Sequence, residues 1–533
     1  MPLQRILWSQ WSDRQIDRAW SLGLGVLAIA LFTLNLGGLA LRDWDEGLVA
    51  QVAREIDGWQ TWLYPTLWGE PYLNKPPLVH GMVAIFYRLL GVSEWSARLP
   101  GALLTAISVP LLYGIGREIF QRRAAVFAAL IYLTSLPVIR NGRLAMLDGA
   151  TLCFLTLLLL GTLRSRRDSR YTLLMGVSLG LICLTKGVMM GVLLGAIALL
   201  FLAWDTPRLL KLPVLWLGLL LGNIPVALWY GAQWLHYGQA FWGNNLVNQS
   251  LQRIWTDVEQ HGGAPWFYLL EVLKHDAPWI LFLPMGCKLA WENRSLSWAK
   301  LAIVWGGLYL VAISLMATKL PWYVLPLYPA LALIQGAAVS ELWQQGKHIG
   351  VKQFPAPLYS RVWVWLFTCL ALVGWVGVIY FGFRAQADVQ IVFGAIALTL
   401  SATAVLLTQR DSQFLPVLIW GTYVSLLLFV ASGHWVWELA EAYPVKPVAA
   451  LIQQVPVGEK VYTSYPYNRP SLNFYSDRPI HLADPQRLKR IWRRSPHPYL
   501  LLDKSALTQL NLRAVKSLGE AEGWTVITRV RRG

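Results

Sequence analysis

Long apolar runs dominate this sequence and decide its fold class. The first of them, SLGLGVLAIALFTLNLGGLAL at 21–41, contains no charged residue. A helix needs about 20 such residues to cross a bilayer, because each residue adds only about 1.5 Å of length. Hydrophobic residues make up 56% of the 533 residues and charged residues only 14%. The sequence therefore predicts a polytopic α-helical membrane protein.

Apolar runs of spanning length recur along the chain and give about thirteen predicted transmembrane helices. They begin near residues 20, 97, 124, 147, 171, 188, 211, 278, 299, 322, 362, 390 and 415. Basic linkers between spans favour the cytoplasmic side. With a cytoplasmic N-terminus, clusters such as QRR at 121–123, RSRRDSR at 164–170 and the linker 344–361 all fall on that side.

This orientation requires that the stretch LVHGMVAIFYRLL at 78–90 lies along the outer surface and does not cross. The stretch is too short for an untilted crossing, and it contains His80 and Arg88. Two long outer loops follow from this topology, at about 42–96 and about 232–276.

The sequence predicts two domains. Residues 1–436 form a transmembrane domain with the two outer loops, and residues 437–533 form a C-terminal extracytoplasmic domain. The second is predicted as a small α/β unit from its apolar periodicity. Its predicted elements are helices at 445–455 and 484–492 and strands at 460–465, 499–503 and 524–530.

The net charge of +17 raises the question of a nucleic-acid partner. The basic residues lie mostly in short clusters between apolar runs, where they orient a membrane protein, so no nucleic acid is expected. The expected location is the plasma (inner) membrane, in contact with the lipid bilayer. All four cysteines sit inside apolar runs and are interpreted as packing residues.

Unusual ionisable and polar residues gather on the outer face in this topology. Such groups are costly near the hydrocarbon boundary, so they usually pair or line a functional cavity. A single lysine or arginine there often only snorkels to water, but several from separate loops, together with carboxylates, predict a site. They are Asp45, Glu46, Arg54, Lys75, Arg143, Asp148, Lys186, Arg253, His261, Lys319 and Tyr323.

Cations beside a carboxylate at a lipid boundary suit one reaction class in particular. They would bind the phosphate of a lipid carrier, whose negative charge grows as it leaves a sugar. A carboxylate would act as general base on an acceptor hydroxyl that attacks the anomeric carbon. One base suffices for a single inverting displacement, which places Asp45 at the chemistry and the basic residues on the leaving group.

The acids near the first span have simpler interpretations as well. Asp45 would instead orient the loop through a salt bridge with Arg54, and Glu46 would simply accept hydrogen bonds from the loop backbone. Asp43 and Glu55 are expected to be solvated.

The later residues also have structural alternatives. Asp148 opens a predicted span, where an acid favours the helix N-terminus. Snorkelling explains Arg143 and Lys186 equally well. His261 is either a ligand or a packing residue, and one histidine does not establish a metal site.

The residues also carry a resemblance to a known family. The chain contains, in order, DEGLVAQVAREI at 45–56, NKPPL at 74–78, ARLPGAL at 97–103, MLDG at 146–149, LTKG at 184–187, HGGAPWFYLLEVLKHDAPW at 261–279 and KLPWYVLPLYPAL at 319–331. This ordered set resembles membrane glycosyltransferases of the GT-C superfamily. It is most similar to the bacterial branch of the dolichyl-phosphate-mannose protein mannosyltransferase family, which includes the aminoarabinose transferases acting on lipid A.

The resemblance implies a transferase that uses a sugar carried on polyprenyl phosphate and acts at the outer face of the membrane. It implies Asp45 as the catalytic acid or base, Lys75 and Arg253 as ligands of the donor phosphate, and Asp148 as a second acidic position. Tyr323 would face the same cavity. The acceptor stays open among a protein hydroxyl, a lipid and a glycan, and a divalent metal also stays open.

The chain departs from the aminoarabinose transferases at three positions. Leu48 stands where they carry an arginine, Asn74 where they carry a glutamate, and Asn248 where they carry a histidine. These differences weaken any transfer of lipid A specificity or of a metal-binding role. Two other function classes compete with a transferase: a transporter or flippase of lipid-linked sugars, and a sensor or scaffold.

Overall fold

A computed structural model describes residues 11–257, 261–347, 361–437 and 443–530. The first ten residues and most of the predicted linker 344–361 lie outside the described residues.

The regular structure in the described N-terminal third of the chain consists of helices and one short two-stranded sheet, formed by β1 (Thr66–Leu67) and β2 (Glu70–Pro71). Its helices are α1 (Asp13–Thr33), α2 (Asp45–Glu55), α3 (Trp59–Leu63), α4 (Leu78–Leu90), α5 (Glu94–Ile119), α6 (Arg122–Leu133), α7 (Leu136–Gly142) and α8 (Asp148–Ser165).

The middle of the chain continues as helices. They are α9 (Tyr171–Lys186), α10 (Val188–Asp205), α11 (Pro213–Tyr237), α12 (Gln239–Phe241), α13 (Gln252–Trp255), α14 (Phe267–His275), α15 (Leu283–Glu292), α16 (Ser297–Ile303), α17 (Tyr309–Leu315), α18 (Tyr328–Lys347), α19 (Arg361–Phe383), α20 (Ala387–Thr408) and α21 (Phe414–Ala431). Tighter 3₁₀ turns occur at Pro207–Lys211, Trp279–Phe282 and Pro321–Leu327, and wider π-helical turns at Trp242–Leu251 and Val304–Leu308.

The predicted polytopic helical fold is confirmed. In the described residues, 10 helices are long and apolar enough to cross a membrane, and 11 if α6 and α7, which meet at 57°, count as one span. The two further predicted spans, near 171 and 278, coincide with shorter helices, the 16-residue α9 and the stretch Trp279–Glu292. The stretch predicted to lie along the surface is the 13-residue α4.

The residues divide into two compact units. The first contains Met1–Leu36, Leu73–Val79 and Leu99–Trp435, and the second contains Gly37–Tyr72, His80–Arg98 and Val436–Gly533. The start of the first predicted loop thus shares a unit with the C-terminal residues. The functional division of the chain at residue 436 stays a prediction.

Small residues allow α9 and α11 to pack closely in the first unit. Gly176 and Gly180 of α9 face Gly218 and Gly222 of α11, and a Cβ atom on any of the four would collide with backbone atoms of the other helix. Small residues four apart let helix backbones approach where burial in lipid gives no hydrophobic driving force. This packing fixes α9, whose last residue is Lys186.

The second unit contains a five-stranded sheet with strand order β4-β3-β5-β7-β6. Strands β3, β4 and β5 are parallel, whereas β5, β7 and β6 are antiparallel. The strands are β3 (Val461–Thr463), β4 (Ile480–Leu482), β5 (Tyr499–Asp503), β6 (Val515–Ala521) and β7 (Trp524–Arg529). The accompanying helices are α22 (Val445–Gln453), α23 (Pro470–Ser476), α24 (Pro485–Arg494) and α25 (Lys504–Leu510).

Alternating side chains of the sheet build a core on each of its faces, as the period of two along a strand requires. Leu501 packs on one face with the apolar residues of α22 and α23. Its neighbours Leu500 and Leu502 pack on the opposite face with Leu488 and Trp492 of α24. The predicted α/β character of the C-terminal residues is confirmed.

Candidate functional site

Asp45 is the first residue of α2 in the second unit. The residue before it, Trp44, has φ +63° and ψ −86°, a backbone conformation that non-glycine residues rarely adopt. Acidic residues in the first turn interact favourably with the positive end of the helix dipole. The Asp45 carboxylate is half-buried and lies near Tyr72, whose pKa is raised by burial and by the Asp45 charge. A strained residue thus precedes the predicted base.

Glycine at position 47 lets α2 pack directly on α23 within the same unit. A Cβ atom there would come within 2.6 Å of the backbone nitrogen of Ser471. The helix that carries Asp45 is therefore held against the C-terminal part of the chain by a close backbone contact.

Glu46 is fully buried and fully engaged. Arg98 binds both of its carboxylate oxygens, with Nε–Oε1 at 2.8 Å and Nη2–Oε2 at 2.7 Å, and the backbone N–H of Arg42 donates to Oε2 at 2.8 Å. The Arg98 guanidinium also donates to the carbonyl oxygens of Leu39 and Ala40. These contacts fit the structural alternative for Glu46, which ties the loop before α2 to the start of α5.

Arg54 forms an ion pair with Asp477, which also lies in the second unit. Its Nη2 lies 3.2 Å from Oδ1 of Asp477, and its guanidinium lies 5.6 Å from the ring centroid of Phe474. Both members of this ion pair are partly exposed, so the pair contributes little to stability.

The expectation that Asp43 and Glu55 are solvated is wrong. Asp43 forms an ion pair with Arg469 at 2.6 Å. Glu55 accepts hydrogen bonds from Thr66 Oγ1 at 2.6 Å and from the N–H of Trp68 at 2.7 Å. Burial tends to raise the pKa of Glu55, but these hydrogen bonds outweigh it and lower the pKa overall. Both acids are bound by residues too distant in sequence for their pairing to be read from local pattern.

Four predicted residues of the first unit come together although 175 positions separate the first from the last. Asp148 at the start of α8 lies 2.5 Å from Lys186 Nζ, at the end of α9. Lys186 Nζ also lies 6.0 Å from the ring centroid of Tyr323, and Arg253 Nη1 donates to the Tyr323 hydroxyl at 3.0 Å. We call Asp148, Lys186, Tyr323 and Arg253 the tyrosine cluster.

The backbone of Tyr323 is fixed by a neighbouring helix. The hydroxyl of Tyr309 in α17 donates to the Tyr323 carbonyl oxygen at 2.8 Å. Arg253 is further held by Gln249 Oε1 at 3.3 Å. In the described part of the chain, the Nε of Arg253 is buried without a hydrogen-bond partner. An unpaired buried donor is costly, so this N–H is available to an acceptor supplied by a ligand.

The segment before Lys75 is anchored to the π-helical turn that leads to Arg253. Asn244 Nδ2 donates to Asn74 Oδ1 at 3.0 Å, and Asn245 Nδ2 donates to the carbonyl oxygen of Leu73 at 3.1 Å. Asn74 stands where aminoarabinose transferases carry a glutamate, and here a neutral amide pair occupies that place. Pro76 and Pro77 follow Lys75 and restrict the backbone around it.

Two predicted residues, Arg143 and Lys319, make structural contacts. Arg143 is fully buried, with its guanidinium bound to the carbonyl oxygens of Leu31 (2.6 Å) and Leu34 (2.5 Å) at the end of α1. Lys319 Nζ donates to the carbonyl oxygens of Ile313 (3.1 Å) and Ser314 (2.6 Å), near the end of α17. Both cations therefore satisfy helix C-terminal carbonyls, which a helix leaves without internal partners.

Burial also affects Lys319, because it lowers the pKa of the ammonium group. His261 meets the same residue through its backbone: its carbonyl oxygen accepts from the N–H of Lys319 at 2.7 Å. The side chain of His261 is exposed.

Two sets of residues were not singled out from the sequence. One is Arg98, whose signal is a lone arginine near the start of an apolar helix, where a buried partner is required. Asn244 and Asn245 carry a weaker signal, an amide pair in a loop otherwise rich in apolar and aromatic residues.

Whether a divalent metal takes part stays open. Within the described ranges, no group of three or more His, Cys, Asp or Glu side chains is placed to hold a metal ion. All four cysteines are free thiols; Cys153 and Cys183 are buried, whereas Cys287 and Cys369 are exposed.

The fold has a close counterpart among solved structures. ArnT from Cupriavidus metallidurans, in its crystal structure bound to undecaprenyl phosphate, matches 96% of this chain and 98% of its own chain with a TM-score of 0.77 at 20% sequence identity. Residues 74–230 match the family described as dolichyl-phosphate-mannose-protein mannosyltransferase. At this identity the likeness shows that the chain has the fold of ArnT.

Curated relatives of this chain have consistent names. An undecaprenyl phosphate-α-4-amino-4-deoxy-L-arabinose arabinosyl transferase of Pseudomonas fluorescens is 31% identical over 352 residues, which is 62% of both chains. A second transferase of that name, from another strain, is 27% identical over 440 residues, 78% of this chain and 76% of its own. The match therefore spans about three fifths of the first relative's length.

Proposed function

We propose that this chain is an inverting glycosyltransferase of the GT-C type, which moves a sugar from a polyprenyl-phosphate donor to an extracytoplasmic acceptor. The observation that carries the proposal is the tyrosine cluster, in which two cations and one acid from separate helices meet and Arg253 retains an unpaired donor. The names of the relatives support the donor class, since they are called transferases of an undecaprenyl-phosphate-linked sugar. None of these names supports the transporter alternative.

Arg253 and Lys75 are proposed to bind the donor phosphate. Guanidinium groups suit phosphate because their N–H groups make short, charge-assisted hydrogen bonds to its oxygens. The Arg253 Nε–H, which has no hydrogen-bond partner in the described residues, would donate to a phosphate oxygen. Tyr323, whose hydroxyl accepts from Arg253, would hold Arg253 in position, and Lys186, whose charge is balanced by Asp148, lies beside the Tyr323 ring.

Asp45 is proposed as the general base. The acceptor hydroxyl attacks the anomeric carbon and transfers its proton to the Asp45 carboxylate, while the bond from that carbon to the phosphate oxygen breaks. The phosphate departs with the electron pair and is stabilised by the cations. A single displacement of this kind inverts the anomeric carbon. Glu46, bound by Arg98, positions α2 and does not take part in the proton transfer.

The active face and the C-terminal residues are proposed to be extracytoplasmic. Basic linkers on the opposite side of the spans support this orientation, because positive residues are retained in the cytoplasm. The acceptor is proposed as a protein hydroxyl, a lipid or a glycan.

Removal of the protein from its own cell tests this function. Mass spectrometry of the envelope should show loss of one glycosyl modification together with accumulation of one polyprenyl-phosphate sugar. Complementation with the wild-type chain should reverse both changes. Loss of a modification without any change in polyprenyl lipids would contradict the proposed donor. Movement of the donor across liposomes without a glycosyl product would establish a transporter instead.

A further inference from the structure

A cavity of about 610 Å³ lies in the C-terminal part of the second unit. Its volume falls in the range of small-molecule sites, about 300–1,000 Å³. None of its lining residues belongs to the predicted transferase site. They include Lys460, Tyr462, Asp484, Arg487, Arg490 and Arg494.

The fold creates this cavity because α24 covers only part of its sheet face. Leu488 and Trp492 bind α24 over the side chains of β5 and β7. Tyr462 of β3 is less covered and forms part of the cavity wall beside the helix. His481 of β4 neighbours it, with the two ring centroids 5.4 Å apart.

Three arginines of α24 form a row along the cavity. Arg487, Arg490 and Arg494 are spaced by three and four residues, which places them on one face of a helix. At about 1.5 Å per residue, the row is roughly 10 Å long. Lys489 and Arg493 belong to the same helix but do not line the cavity.

The charges of this arginine row are not neutralised internally. In the part of the chain that the structure describes, none of the three arginines forms an ion pair. Of the two acids in the lining, Asp484 is already engaged as the N-cap of α24 and accepts from the N–H of Arg487 at 2.8 Å. Lys460 adds a fourth cation.

Cations of the cavity also affect the pKa of the neighbouring His481. Burial lowers the pKa of His481, and the charges of Lys460 and Arg487 lower it further. A group that is easier to deprotonate beside unpaired cations indicates a local excess of positive charge.

We propose that this cavity binds a ligand that carries two or more phosphate groups. Guanidinium groups bind phosphate in bidentate geometry, and a row roughly 10 Å long exceeds the reach of one phosphate. The ligand is either a soluble polyphosphorylated compound or the headgroup of a lipid with two phosphates. The inference goes beyond the transfer reaction and does not depend on it, since no residue is shared.

The test uses the full-length protein in phosphatidylcholine nanodiscs and inorganic tripolyphosphate as the probe, with binding measured by calorimetry at low salt. Two variants that each remove two positive charges from α24 are compared: Arg487→Gln/Arg494→Gln in the row, and Lys489→Gln/Arg493→Gln outside it. All four side chains are exposed, so both variants should fold. Their thermal unfolding is recorded as a control.

The row variant should lower the affinity for tripolyphosphate at least tenfold, whereas the variant outside the row should change it by about twofold or less. Equal weakening by both variants would reduce the effect to general surface charge and overturn the proposal, as would absence of binding to the wild type. Nanodiscs doped with cardiolipin, which carries two phosphates, distinguish the source. If cardiolipin competes with tripolyphosphate for the wild type but not for the row variant, the ligand is a lipid headgroup. If cardiolipin leaves tripolyphosphate binding unchanged, the ligand is soluble.

Discussion

Two groups of charged residues differ in how their charges are satisfied. Around the start of α2, the acids Asp43 and Glu46 each have their own arginine, Arg469 and Arg98, and Glu46 is completely buried. In the tyrosine cluster, Asp148 and Lys186 form one buried pair, but Arg253 reaches only neutral oxygens and keeps one N–H unpaired in the described structure.

The difference separates structural charge from functional charge. A buried ion pair that is fully hydrogen-bonded holds a segment in place, because removal of either partner leaves an uncompensated charge. A cation held by neutral groups retains charge that a phosphate can neutralise. The first group is therefore interpreted as the residues that hold Asp45 in place, and the second as the proposed phosphate-binding residues.

Asp45→Asn gives the largest expected effect. It should lower the transfer rate by about 10²–10⁴-fold, the usual contribution of a general base, with little change in the free energy of unfolding. The rate is measured with extracted polyprenyl-linked sugar and membranes of the deletion strain. The adjacent change Glu46→Gln should instead destabilise the protein. Wild-type turnover by Asp45→Asn would remove this residue from the mechanism.

Arg98→Met removes the buried ion pair with Glu46 near the start of α2. It leaves Glu46 buried without its cation, and the free energy of unfolding should fall by about 3–5 kcal/mol, as for other buried pairs that lose one partner. Detergent-induced unfolding of the purified protein measures the change. Arg54→Met is the matched control, because its pair with Asp477 is partly exposed to solvent and its loss should cost at most about 1 kcal/mol. Similar losses in both variants would refute the distinction.

Arg253→Gln tests the proposed phosphate-binding residues. Hydrogen bonds to charged groups contribute about 1.5–3 kcal/mol, so the affinity for undecaprenyl phosphate should fall by roughly tenfold or more. Binding to the purified protein measures this, with Lys75→Gln as the second variant. Lys288→Gln, a change of an exposed lysine on α15, controls for general charge loss. Unchanged affinity in both test variants would overturn the phosphate assignment.

Tyr323→Phe should have the smallest effect. It removes one hydrogen bond to Arg253 and leaves the aromatic ring beside Lys186. A typical net contribution of about 1 kcal/mol predicts a several-fold loss of affinity for undecaprenyl phosphate, smaller than that of Arg253→Gln. An effect larger than that of Arg253→Gln would mean that Tyr323 contacts the ligand itself.

The transmembrane fold was largely predictable because length and hydropathy determine a span locally. Each predicted start coincides with a helix. Helix α9 is shorter than the usual span, so helix length alone does not identify it as one. The 16-residue α9 packs closely on α11 through glycines, and such packing depends on a partner elsewhere in the chain.

The C-terminal residues show the same division between local and distant information. Strand β5 and helix α24 follow apolar patterns and were predicted at nearly their observed bounds. Strand β4 has three residues, and β6 is mostly exposed without clear alternation, so neither was predicted. Their strand conformation comes from pairing with β3 and β7.

The sequence indicates the residues of the tyrosine cluster but not the contacts between them. Asp148, Lys186, Arg253 and Tyr323 were all singled out from the sequence, yet their contacts join four separate segments. The partner of Glu46 was missed because Arg98 lies 52 positions away and packing alone brings the two together.

The anomeric configuration of donor and product tests the central claim most directly. The polyprenyl-phosphate sugar that accumulates without the protein and the glycan made in its presence are isolated, and nuclear magnetic resonance determines the configuration at the anomeric carbon of each. A single displacement with Asp45 as base predicts opposite configurations. The same configuration in both would contradict that mechanism, and a sugar that differs in identity would contradict the proposed donor.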